Sequence, residues 1–209
     1  MKIVRIIVSL MMIFILEGTT GCSKDQSNTI PQTNTSSTAI APQASWSPGP
    51  AGLIVPKGPD GPTESQPVPH GFSHTPQGAV LAAITAQSWM AGADDQVWPQ
   101  VAEYLLEPGI GRDQWAQSRG LVTVKGTVDK PARFVAFKFS EYSNEKAVVV
   151  LATQWPDGML TAYPVQLSAT SGQWRVVIPP QKQAPDMEEI KQEHLTDFVA
   201  FNSSKEPKG

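Results

Sequence analysis

The 209-residue chain has one cysteine, Cys22, so no internal disulfide can brace its fold. It has no apolar run of the ~20 residues that a membrane-spanning helix needs. Nor does it carry an excess of positive charge: Lys and Arg total 16 against 19 Asp and Glu. Without residues 1–21 the balance becomes 14 against 18, a net charge of −4. A chain without a basic stripe cannot neutralise a run of phosphates, so nucleic acid is not an expected partner.

Reactive groups are scarce as well. His70 and His74 stand four apart, but Gly71 lies between them and a helix start follows, which puts both in a loop with Glu64 as the nearest acid. His194 is the third histidine, and Ser73 beside His74 is adjacency rather than a catalytic set. No G-x-S-x-G string occurs. Asp94-Asp95 reads as a helix cap and Glu103 with Glu107 as the solvent face of a helix. Gly109-Ile110-Gly111 reads as a helix stop and not a phosphate loop. The expectation is no metal, no cofactor and no enzyme.

What is present begins with an export segment. Lys2 and Arg5 precede an eleven-residue apolar run at 6–16, the length of a signal-peptide core. Thr19, Thr20 and Gly21 then lead to Cys22. Small residues directly before a cysteine resemble the lipobox of bacterial lipoproteins. Thr19 stands where that pattern prefers an aliphatic residue, and Glu17 is unusual there; the plainer reading is an ordinary cleaved signal peptide with a free thiol. The resemblance implies cleavage between Gly21 and Cys22 and a diacylglycerol on Cys22. Two acyl chains suffice for stable anchoring, which gives a lipid-anchored protein on the extracytoplasmic face of the membrane.

Residues 23–69 contain nine prolines among Ser, Thr, Asn and Gln. A flexible chain of that whole length would span roughly 35–40 Å, and its first half, 22–45, is predicted to be a disordered tether. In 46–69 Trp46, Leu53, Ile54 and Val55 interrupt the polar run, so this part is expected as an extended arm over the domain. The domain itself is assigned to 70–201, with a disordered tail at 202–209. Thr75-Pro76 starts a helix, and Val80, Ala83, Ile84, Gln87 and Met90 continue it at helical spacing towards Gly92. A second helix carries Val101, Tyr104 and Leu105 up to Pro108-Gly109, and a short third lies around 112–119. The period then changes. Runs at 134–142, 146–155, 159–168 and 174–178 read as strands, with Val135, Phe137 and Phe139 on one face. Pro156-Asp157-Gly158 and Thr170-Ser171-Gly172 join them as hairpin turns. Asp186 and Glu189 suggest one more helix, whose end at 195–201 has an extended alternative. Helices followed by an antiparallel meander make an α+β domain.

The string VPHGFSHTPQGAVLAA at 68–83 resembles the opening of a family of actinobacterial exported proteins and lipoproteins, with the pattern V-P-x-G-[FY]-x-x-T-x-x-G-A-[VL]-x-A-A. The segment GMLTAYPVQLSATSGQWRVVIPP at 158–180 is similar to that family's closing hairpin, YPVxL followed by WRVVxPP, and 195–201 to its terminal segment. The resemblance implies a domain of unknown function with helices on a curved antiparallel sheet, like the nuclear-transport-factor-2-like or cystatin-like folds. By analogy alone it points to conjugation or secretion machinery.

Helices on a curved sheet can leave an apolar cavity, and Trp89, Tyr104, Phe137 and Trp174 are its candidate lining. The plainer expectation is that these rings fill the core. Two functions follow. The first is a non-catalytic module that meets another protein of the cell envelope. The alternative is a small-ligand carrier or degenerate enzyme using the cavity. An exposed apolar patch with a filled interior favours the first; an open pocket holding a carboxylate or histidine with a shifted pKa favours the second.

Overall fold

The computed structural model of the chain describes residues 38–201. The expected signal segment, Gly21, Cys22, the tether as far as residue 37 and the tail at 202–209 lie outside the described residues.

The described chain is α+β. Ser45–Pro48 (β1) and Ile54–Lys57 (β2) form an antiparallel hairpin, so the segment expected as one extended arm folds back on itself. A 3-10 turn at Pro50–Gly52 makes the reversal, with Gly52 at φ 80°. Three helices follow: Pro76–Gly92 (α1), Trp98–Tyr104 (α2) and Ile110–Arg119 (α3). Arg133–Tyr142 (β3), Lys146–Gln154 (β4), Leu160–Ser168 (β5) and Arg175–Val177 (β6) build the meander. Glu188–Ile190 (β7) pairs with β5 beyond the end of β6, and Val199–Ala200 (β8) closes the free edge of β3.

Helix α1 starts where its cap chemistry dictates. Thr75 Oγ1 accepts the Gly78 N–H at 2.9 Å and donates to Asp60 Oδ1 at 2.6 Å. Pro76 follows at the first helical position. The helix was expected to bury one stripe, but residues 78–86 are buried without a break. It lies against β3 to β6 and also against β2 and α2, so no face meets water over that stretch.

Helix α2 ends at Tyr104 rather than running to Pro108, because the next residues become a strand-like edge. Val176 N–H donates to Leu105 O at 2.9 Å and Glu107 N–H to Val176 O at 2.8 Å. Gly109-Ile110-Gly111 opens α3 instead of stopping α2. Gly111 is required there: a Cβ would sit 1.9 Å from Ile178 O.

β3 is bulged at two places, between Phe134 and Ala136 and between Phe139 and Glu141. Each extra residue shifts the side-chain phase, so Phe134, Phe137, Phe139 and Tyr142 pack on the core while Val135 leaves the face predicted for it. The predicted helix after Asp186 is not formed; β7 and a 3-10 segment, Gln192–Asp197, occupy it. Pairing with β5 and β3 offers these residues a sheet edge that local capping signals do not register. The extended alternative for 195–201 holds at its end, where Phe201 stacks on Phe137 at 5.2 Å.

Candidate functional site

The four aromatics proposed as cavity lining are not brought together. Phe137 is fully buried between Phe139 and Phe201. Trp174 is buried under the start of α1, its Nε1 donating to Thr75 O at 3.2 Å. Tyr104 packs on the His70 ring at 4.5 Å. Trp89 packs on the core with its Nε1 buried and unpartnered among the described residues. Phe137 and Trp174 lie in the buried core, and Trp89 and Tyr104 pack against it partly buried.

The opposite end is not filled. Between the C-terminal half of α1 and the sheet lies a pocket of about 560 Å³, within the ~300–1,000 Å³ typical of small-ligand sites. Its floor is the inner face of the sheet, Leu151, Val165 and Val176, with Ser88 of α1 opposite, all buried. Phe134, Tyr163, Met90, Leu53 and Ile178 make the walls. Val128, Lys130, Trp155, Pro156 and Met187 stand exposed at the mouth. On the α1 side the lining is Gln87, Ser88, Met90 and Ala91, of which Ser88 and Ala91 are short.

One wall is a loop, 120–132, that the sequence reading passed over. Two ties hold it. Val128 N–H donates to Ala51 O in the β1–β2 hairpin at 2.9 Å. Arg119, buried at the end of α3, donates to Val122 O and Ala93 O at 2.7 Å each and to Asp95 Oδ1 at 3.1 and 3.2 Å. Desolvation of the half-exposed Asp95 carboxyl opposes its charge. The hydrogen bond from Val124 N–H and the Arg119 guanidinium outweigh it and hold the carboxyl below its ordinary range.

Chemically the pocket is quiet. Lys130 is its one charged lining residue among those described, and the lining contains no histidine, cysteine or carboxylate. Burial pushes the half-buried Tyr163 hydroxyl above its ordinary 10.0, so it stays protonated and offers a hydrogen bond rather than a charge. At the mouth Trp155 Nε1 donates to Thr161 Oγ1 at 3.0 Å, which fixes the indole at the lip. A second, polar groove of about 420 Å³ adjoins it and shares Lys130, Pro131, Trp155 and Pro156.

The remaining candidates stay apart from this pocket. His70 Nδ1 lies 2.7 Å from Val68 O, His74 is exposed beside Trp174 at 6.2 Å, and His194 Nδ1 accepts the Lys191 N–H. Asp94 caps the turn before α2 by accepting from Gln96 and Val97 N–H, and Glu107 Oε1 accepts from Thr170 Oγ1 at 3.3 Å. Among the described residues no group of three or more His, Cys, Asp or Glu converges.

No curated protein and no solved structure matches the chain. A family match spans 18–199, which takes in every described helix and every strand up to the start of β8. The chain belongs to that family, described as a domain of unknown function (DUF8175).

Proposed function

We propose that this domain is a non-catalytic receptacle for a small apolar ligand, held on the outer face of the cell membrane by lipid on Cys22. The observation that carries the reading is the pocket: open, apolar, of ligand size, and with no histidine, cysteine or carboxylate in its lining among the described residues. An envelope-protein module is the weaker reading. Of the exposed large apolar side chains, Val128, Trp155 and Met187 belong to the pocket, while Ile40, Ile110, Met159 and the adjacent pair Leu121-Val122 lie on separate segments of the chain.

Titration with the neutral fluorophore N-phenyl-1-naphthylamine tests the receptacle. Saturable one-to-one binding is expected, and Ala132→Trp, which places an indole in the lining, should weaken it. A folded chain that leaves the fluorescence unchanged refutes the reading. The anchor is tested separately. Labelled palmitate should appear on the protein, and Cys22→Ser should release it from membranes; retention of the unlabelled variant at the membrane refutes the anchor alone.

A further inference from the structure

We infer that the ligand is an amphiphile with an apolar body and a single anionic head, and that Lys130 holds the head at the pocket mouth. This rests on the receptacle reading and names its ligand class.

Three observations lead to it. The pocket interior is apolar, so it takes a hydrocarbon body and excludes a charge that would find no partner there. The single charged lining residue, Lys130, lies on the exposed mouth and makes no hydrogen bond or ion pair among the described residues. The polar groove that continues from the mouth shares Lys130 and gives a head group room to lie outside the apolar cavity. Asp129 and Arg133 line the same groove, so its formal charge is +1 with Lys130 included. Tyr163, neutral and half-buried in the wall, fits an apolar body rather than a second charge.

The arrangement sorts polarity along one axis: hydrocarbon at Leu151, Val165 and Val176, charge at Lys130. A carboxylate and a phosphate monoester both supply the head, and the two are separable by experiment.

The test uses the full chain carrying Cys22→Ser, so that no acyl group of its own competes. Four ligands with the same sixteen-carbon chain displace N-phenyl-1-naphthylamine: palmitate, palmitoyl lysophosphatidic acid, hexadecanol and hexadecyltrimethylammonium. Palmitate or the phosphate is expected to bind about fivefold more tightly than hexadecanol, the size of one exposed ion pair, and the ammonium more weakly still. The tighter of the two anions identifies the head. Added salt should shrink the preference. Lys130→Gln should abolish it and Lys130→Glu should reverse it, with palmitate and hexadecanol compared within each variant. Equal binding of palmitate and hexadecanol, or an anion preference that survives Lys130→Gln, overturns the inference and leaves the receptacle standing. Failure of the neutral fluorophore itself removes both.

Discussion

Thr75 does two things with one hydroxyl, capping α1 and bonding Asp60. Thr75→Ala should therefore cost about 1 kcal/mol for the cap, read as a lower urea midpoint, with a further loss from the abandoned Asp60 carboxylate. Arg119 is more heavily committed. Its bonds to the carbonyls of Ala93 and Val122 are charge-assisted, the first buried and the second partly so, and Arg119→Ala should destabilise by about 2 kcal/mol and loosen the pocket wall. Its partner gives a pH signature. Because the folded Asp95 carboxyl ionises below its ordinary 3.8, the stability it contributes is complete above that value and lost as pH falls through the lower folded one. Asp95→Asn should flatten this part of the acid-unfolding curve, and the two proteins should converge at its acid end. Equal acid sensitivity in both would deny the clamp. The cap was readable because Thr-Pro before an apolar run is a local signal. The Arg119–Asp95 pair, 24 positions apart, has no such signal, and nothing near Asp95 names its partner.

At the scale of elements, the turns and strands with local chemistry were legible. Gly158 and Gly172 take φ of 90° and 91° in the turns predicted for them, and β3 to β6 fall where the alternation placed them. What escaped depended on neighbours. A bulge leaves no mark on alternation until the partner strand is known, so the displacement of Val135 was invisible. The β7 segment is a strand because β5 has a free edge there, against a local pattern that favours a helix. Gly111 was taken for a stop because a glycine that admits a crossing backbone looks the same in sequence as one that ends a helix. Gly111→Ala should cost roughly 1–3 kcal/mol despite the better helix propensity of alanine, since the new methyl meets the backbone of Ile178. A neutral or stabilised variant would show that α3 can shift away from β6.

For the molecule as a whole, the sequence reading foresaw an α+β domain but expected the interior to be filled, and placed any cavity among the largest rings. The cavity lies beside the C-terminal half of α1, where Phe134, Tyr163 and Trp155 line it in place of the four rings chosen from the sequence. If it is a receptacle, a bound amphiphile at a hundred times its dissociation constant should add about 2.7 kcal/mol, which for a domain of this size raises Tm by roughly 5–10 °C. A melting curve unmoved by a ligand that displaces the fluorophore would place the binding elsewhere. The contact of Trp46 with Phe201, ring centres 5.4 Å apart, brings β1 beside the last described residue. A circular permutant that joins residue 201 to residue 45 through a short glycine linker, and is reopened in the Pro156–Gly158 turn, should keep every ladder of the sheet, with its new termini at the lip of the cavity.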